Sequence, residues 1–564
     1  MARLRKTHGL APRIPNTVHV GASRGRFLAW KARHESYHPA VNRASSLLVP
    51  LAFVAFALLA WRSDWLCDDA YISFRYARHL AEGQGLVFNG ARAVPVEGYS
   101  NFLWVLWLGA GEWLGLKSAV LARSSSALCG GLLLVGVVRF LRRRTDLSSL
   151  AVGAAAVFLA TLPPFTVWAT SGLASMPTAL LLFLCFDRLM GEAERPRPGS
   201  AAMFALATAL VRADGAVWVG MLLFGIWLHD LVEGRPKRHA RALLMVAGTL
   251  VVGVGAHVLW RLSLYGDWLP LTARVKAGFS TARLVRGLDY IVAWLLIVPA
   301  VPLALLACVS VARSLPRRLT IPSATVVVSA MLYATWVGGD FMPFGRFLFP
   351  TLPFVALLFG AAVDRLARTG PILSTVLVVA CVATSVGANF DQNVIPESAR
   401  RRFDFRVDRA WQSEIERRDE MDLNARRWVL LGQALADHTE EGDSLILGGI
   451  GAVGYHSELF IYDSYGLVTP EVVAHGQVIE GSSPGHDLRV NPPFFLKFEP
   501  TFLGAYLTPT SGIAPDEPLP WWTDVRPPEW ETHRWGELMD VETYSLDPAQ
   551  GFPENAELVL LRIR

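Results

Sequence analysis

The chain has 564 residues, of which 52% are hydrophobic and 18% charged, whereas an ordinary soluble protein carries about 25% charged residues. That composition excludes a wholly water-soluble protein. The net charge of +5 splits into +20 for residues 1–390 and −15 for residues 391–564, so the C-terminal part is too acidic to bind nucleic acid or anionic lipid.

Residues 1–43 hold nine Lys/Arg and one acid, Glu35, and read as a basic cytoplasmic tail. Residues 44–390 alternate apolar runs with short polar loops and read as a transmembrane domain. The first span is predicted at Ala44–Trp61, followed by an outer loop over 62–119. Within that loop the run Phe102–Leu116 is short and holds Gly109, Gly111, Gly115 and Glu112. A crossing needs about 20 apolar residues, so this run is predicted to lie at the outer surface. Ala119–Phe140 then crosses inward and delivers Arg139, Arg142, Arg143 and Arg144 to the cytoplasm, as the positive-inside tendency requires.

Further spans are predicted at 148–166, 172–190, 199–212, 215–232, 242–262, 288–311, 321–338, 347–362 and 371–389. Roughly eleven crossings put the N-terminus inside and residues 391–564 outside the plasma (inner) membrane. In that C-terminal domain, Asn424–Asp437 has helical spacing and Glu471–Val473 starts a helix. Ser444–Leu447, Leu459–Tyr462 and Glu557–Arg562 read as strands. The expected architecture is an α-helical polytopic membrane protein with an extracytoplasmic α/β domain. None of the five cysteines (Cys67, Cys129, Cys185, Cys308 and Cys381) lies beyond Asp391, so that domain has no disulfide, and no Cys/His set has zinc spacing.

The polar motifs gather on the outer side. Directly after the first span comes Cys67-Asp68-Asp69-Ala70-Tyr71-Ile72-Ser73-Phe74-Arg75-Tyr76. Two carboxylates at a membrane boundary are costly unless they are solvated or used. The loop continues through Gly85-Leu86-Val87-Phe88-Asn89 and Glu97-Gly98-Tyr99-Ser100-Asn101. Later outer turns carry Arg212-Ala213-Asp214-Gly215, Lys276, and Gly338-Gly339-Asp340-Phe341-Met342-Pro343-Phe344-Gly345-Arg346-Phe347. Arg212, Lys276 and Arg346 run against the positive-inside tendency, and a phosphate ligand is a reason for cations placed there.

These motifs resemble the first outer loop of bacterial GT-C glycosyltransferases, integral membrane enzymes that use polyprenyl-phosphate sugars. Within that class the sequence is most similar to the terminal arabinofuranosyltransferases of the mycobacterial cell envelope (the AftB type). Gly451-Ala452-Val453-Gly454-Tyr455, Asp463-Ser464-Tyr465-Gly466-Leu467 and Pro484-Gly485-His486-Asp487 fit the same pattern. The resemblance departs at Gly448-Gly449-Ile450-Gly451, where many members of that family carry an Asp.

The resemblance implies an inverting glycosyltransferase of the cell envelope. It would move a sugar, with arabinofuranose as the lead, from a polyprenyl phosphate to a glycan or lipid acceptor at the outer face. Asp68 is the implied base for the acceptor hydroxyl. Asp69 is its neighbour, either orienting it or sharing a divalent cation, for which Asp68 and Asp69 are the only candidate ligands. Arg346, Lys276 and Arg212 are the expected phosphate ligands. Glu97, Tyr99 and Asn101 are expected to be structural or acceptor-side, and His486 is a candidate acceptor contact. The rival reading is a lipid-linked sugar transporter or flippase, since broken helices and mid-chain charges also suit transporters.

Overall fold

The structure is a computed structural model that describes residues 39–90, 93–190, 196–275, 280–391, 413–478, 488–490, 492–508 and 539–564. The membrane part runs α1 (Pro39–Arg62), α2 (Asp68–Ala81), α3 (Phe102–Trp113), α4 (Ser118–Arg144), α5 (Ser149–Thr161) and α6 (Pro163–Val167). It continues with α7 (Ser175–Leu189), α8 (Pro198–Val211), α9 (Gly215–Val232), α10 (Ala240–Tyr265) and α11 (Leu271–Val275). It closes with α12 (Thr281–Ile297), α13 (Ala300–Ser310), α14 (Arg317–Val337), α15 (Leu352–Thr369) and α16 (Pro371–Gly387).

A helix occupies each apolar run predicted to cross. Among the described residues, five helical segments are long and apolar enough to span a bilayer, and the bent pair α12–α13 makes a sixth if it is counted as one span. The rest are shorter. This is the fold of a multi-pass membrane protein. Two predicted spans are not single helices. The run 288–311 is divided into α12 and α13, which meet at 92°. Pro299 lies at the corner and lacks the N–H that a continuous helix would need. The run 148–166 breaks at Leu162, just before Pro163 and Pro164, for the same reason.

Burial sorts the helices. In α15 every residue from Leu352 to Asp364 is buried, and in α5 every residue from Ala151 to Thr161 is. The two pack closely: the Phe158 and Phe359 rings stack at 4.5 Å, and a Cβ on Gly360 would lie 3.1 Å from that of Ala155. At the periphery, Leu244, Val251, Val252 and Leu259 of α10 are exposed, which suits a helix facing lipid.

The loop predicted over 62–119 is built of helices. α2 opens with Asp68 and Asp69 and closes with Arg78 and His79, which matches charge to the helix dipole at both ends. It is buried from Ala70 to Ala77 because it is a joist between the membrane part and the C-terminal domain. α3 packs beside it, with Gly109 under Leu80.

The C-terminal domain opens on α17 (Glu414–His438), which starts ten residues earlier than its spacing suggests because Ser413 and Glu416 form a capping box. Then come β1 (Ser444–Leu447), α18 (Gly451–Ser457), β2 (Phe460–Asp463), α19 (Pro470–His475), β3 (Gln477–Val478), β4 (Leu488–Arg489), β5 (Phe502–Thr508), β6 (Met539–Ser545) and β7 (Glu557–Ile563). The main sheet has the order β2-β1-β5-β7-β6. β1 is parallel to β2 and β5, while β7 is antiparallel to β5 and β6. The open edge of β2 is closed by Asn89 of the first loop, whose side chain bonds both the N–H (2.9 Å) and the carbonyl (3.0 Å) of Ile461.

Candidate active site

The segment between α1 and α2 is fixed at several points. Trp65 Nε1 donates to the Val167 carbonyl at 2.9 Å, the Cys67 N–H to the Ser171 carbonyl at 3.2 Å, and the Leu66 N–H to Asp422 Oδ1 of α17 at 3.1 Å. These anchors aim the two carboxylates that follow in different directions.

Asp68 points to the C-terminal domain. Its Oδ1 accepts the Ala452 N–H at 2.7 Å and its Oδ2 the Gly451 N–H at 3.1 Å. A Cβ on Gly451 would lie 2.0 Å from the Asp68 carbonyl oxygen, so only glycine allows the approach. Gly451 closes the turn at which the sequence departs from the arabinofuranosyltransferase pattern. Burial pushes the Asp68 carboxyl up to about 7, with the Asp69 charge adding to the rise and the two N–H donors opposing it.

Asp69 is half-buried, and no hydrogen bond or ion pair reaches its carboxylate among the described residues. Its charge acts on the guanidinium of Arg346.

Arg346 stands on a turn that sequence alone would not hold. Gly338 (φ 82°), Gly339 (φ 79°), Phe344 (φ 54°) and Gly345 (φ 67°) all have left-handed backbone, costly for a residue such as phenylalanine. Neighbours compensate. Tyr290 Oη accepts the Phe347 N–H at 3.1 Å, and the Trp294 ring closes over Gly345. From the C-terminal domain, Glu414 accepts the Phe344 N–H and Arg417 donates to the Phe341 carbonyl. The result is a bidentate pair: Arg346 Nε to Asp340 Oδ2 at 2.7 Å and Nη2 to Asp340 Oδ1 at 2.9 Å.

Arg212 forms a second bidentate pair, Nε to Asp214 Oδ1 at 2.5 Å and Nη2 to Asp214 Oδ2 at 3.0 Å. Tyr333 and Trp218 also approach Asp214, at 3.5 and 3.4 Å. The two arginines meet at one ring: Phe347 lies 5.5 Å from the Arg212 guanidinium and 5.8 Å from that of Arg346. Arg212, Arg346 and Asp69 are therefore brought into one electrostatic neighbourhood.

Glu97, Tyr99 and Asn101 have partners within the protein. Glu97 is 3% exposed and ion-paired with Arg261 of α10. Tyr99 bonds Tyr265 at 3.2 Å and packs edge-on against Tyr76. Asn101 exchanges hydrogen bonds with Ser73 at 3.0 and 3.3 Å. These bonds hold the first loop in shape, the structural side of the expectation for these three residues. Lys276 and His486 lie outside the described residues. Among the described residues no group of three or more His, Cys, Asp or Glu side chains is placed to hold a metal ion.

Sequence reasoning missed Asp340 and Asp214 as holders of the arginines. The acid–arginine spacings of six and two residues were the available signal. The roles of Gly451, Glu414 and Arg417 had no local signal.

Residues 413–535 match the family described as Domain of unknown function (DUF8728). No curated protein matches the sequence. Structural neighbours are GT-C glycosyltransferases. ArnT from Cupriavidus metallidurans in the apo state aligns with a TM-score of 0.53 at 15% identity, covering 92% of this chain and 98% of ArnT. The same enzyme bound to undecaprenyl phosphate gives 0.52 at 14% identity, covering 91% and 97%. The arabinofuranosyltransferase AftD from Mycobacteria gives 0.42 at 18% identity, over 75% of this chain and 32% of AftD. At these identities the ArnT likeness establishes the fold.

Proposed function

We propose that the chain is an inverting glycosyltransferase that moves a sugar from a polyprenyl phosphate to an envelope glycan or lipid acceptor at the outer face of the membrane. The observation that carries this is the convergence of Arg212 and Arg346 on Phe347, with a first-loop carboxylate acting on Arg346. The fold is shared with ArnT, which has been crystallised with undecaprenyl phosphate. The sequence resemblance makes arabinofuranose the first sugar to try. By the same reading, Lys276 joins the phosphate ligands and His486 faces the acceptor.

The chemistry follows from charge. As the anomeric carbon–oxygen bond breaks, negative charge grows on the departing polyprenyl phosphate. Two guanidinium groups already fixed by Asp340 and Asp214 offset it without having to reorganise. No acid is needed to protonate that leaving group. The attacking hydroxyl must lose its proton, and the Asp68–Asp69 pair at the membrane boundary supplies a carboxylate. A single displacement inverts the anomeric centre. On this reading the polyprenyl tail lies in an apolar groove of about 550 Å³ along α10, lined by Ala216 of α9 and by Leu250, Val254, Val258 and Leu262.

The test is release of polyprenyl phosphate by the purified chain in detergent, where no compartments exist, from a synthetic polyprenyl-phosphoryl arabinofuranose and a lipid-linked glycan acceptor. Arg346→Ala is expected to cut release by about 10²–10³-fold, the scale of losing one fixed charge-stabilising donor. Release unchanged in Arg346→Ala overturns the assignment.

A further inference from the structure

Asp68 and Asp69 are adjacent in the sequence but do not do the same thing. Both oxygens of Asp68 are committed to backbone N–H groups of α18, at 2.7 and 3.1 Å. To take a proton from a hydroxyl, that carboxylate would have to give up a bond that ties the C-terminal domain to the first loop. Asp69 has no such commitment, and its charge acts on the arginine that faces the proposed leaving group.

We infer that Asp69 is the catalytic base and that Asp68 is a positioning residue, a latch that holds α18 of the C-terminal domain against α2 and so fixes the direction of Asp69. This rests on the glycosyltransferase reading. The acceptor hydroxyl oxygen bonds to the anomeric carbon while the bond from that carbon to the phosphate oxygen breaks. The bonding pair leaves on polyprenyl phosphate, and the hydroxyl proton passes to the Asp69 carboxylate.

The latch does not act alone. Arg78 donates to the Tyr455 carbonyl at 2.9 Å and lies 3.6 Å from the Tyr455 ring, and Arg75 donates to the Leu459 carbonyl at 2.8 Å. These bonds reach the far end of α18 and the start of β2. The bond from Asp422 to the Leu66 N–H enters from α17. Asp68 is the one carboxylate of α2 in this set, and it grips the first residues of α18, directly beside Asp69. Loss of the latch therefore leaves the C-terminal domain attached through the arginines while freeing the turn of α2 that aims the base.

Three variants of the full-length chain in lipid nanodiscs separate the roles: Asp69→Asn, Asp68→Asn and Gly451→Ala. Gly451→Ala leaves both carboxylates in place and breaks the latch, since its Cβ would sit 2.0 Å from the Asp68 carbonyl oxygen. Turnover, KM for the polyprenyl-phosphoryl sugar, binding of undecaprenyl phosphate, and amide hydrogen exchange over residues 451–457 are measured on the same samples. Asp69→Asn is expected to lower turnover by about 10²–10⁴-fold, the usual share of base catalysis, with donor binding and exchange kept. Asp68→Asn and Gly451→Ala are expected to speed exchange at 451–457 and to lower turnover less than Asp69→Asn. Asp68→Glu should restore exchange protection and turnover together. Near-normal turnover in Asp69→Asn overturns the inference. So does full loss of turnover in Asp68→Asn with exchange unchanged. If the wild type transfers no sugar but binds undecaprenyl phosphate, the enzymatic reading fails, and the exchange data still report on the latch.

Discussion

The two arginine turns reach the same geometry by different routes. Arg212 finds Asp214 two residues away, and the turn between α8 and α9 needs little else. Arg346 finds Asp340 six residues away, across Phe344 and Gly345 in left-handed backbone, in a turn that Tyr290, Trp294, Glu414 and Arg417 hold in place. Two of those props come from α17 of the C-terminal domain. Arg212 is thus positioned by its own loop, whereas Arg346 is positioned by the docked C-terminal domain. An arginine placed in this second way can respond to movement of that domain.

The largest difference should appear when the carboxylates are removed. Asp340 is 2% exposed and its partner 12%, so Asp340→Ala leaves a buried guanidinium unpaired. Stripping one partner from a buried pair typically costs about 3–5 kcal/mol. Asp214 is 13% exposed and Arg212 15%, and the Arg212 turn does not depend on left-handed backbone. Asp214→Ala should therefore cost less. Thermal unfolding in one detergent measures both, and equal losses would dissolve the distinction between the turns.

The same contrast explains what the sequence made legible. Apolar run length located the membrane helices, because a bilayer imposes its thickness on the chain. It did not reveal the 92° corner at Pro299, since a proline marks a weak point without setting the angle. β1 was readable as Ser444-Leu445-Ile446-Leu447, but β6, Met539–Ser545, has no apolar run and took its place from pairing with β7. Asp68 and Asp69 stood out as a pair, yet their division of labour did not. The partners of Asp68 lie 383 and 384 residues away, so no local pattern encodes them. Glu97 shows the same limit: its partner Arg261 lies on α10, far along the chain, so the loop motif alone does not show the buried ion pair.

A second, smaller effect concerns donor use. Arg346→Lys and Arg212→Lys keep the charge and lose the planar fork that both pairs use. Each should raise the KM for a polyprenyl-phosphoryl sugar by about tenfold, corresponding to roughly 1.4 kcal/mol. The Arg346 variant should also lose turnover, because Asp69 acts on that guanidinium. An Arg212 variant that loses turnover as strongly would place both arginines equally near the breaking bond.

The smallest expected effect tests how self-sufficient the Arg212 turn is. Tyr333 of α14 offers its hydroxyl to Asp214 Oδ2 at 3.5 Å, the outer limit of a hydrogen bond, while Arg212 holds the same carboxylate at 2.5 and 3.0 Å. A typical hydrogen bond contributes about 0.5–1.5 kcal/mol net, and one this long belongs at the low end. Tyr333→Phe keeps the ring, which packs 6.3 Å from Phe347, so the platform shared by the two arginines is preserved. The variant should unfold within about 1 kcal/mol of wild type and change turnover by less than about threefold, from the same hydrogen-bond scale. A larger loss, measured beside Arg212→Lys, would mean that α14 sets the position of Asp214. Arg212 would then depend on distant residues as Arg346 does, and the difference between the two turns would be one of degree.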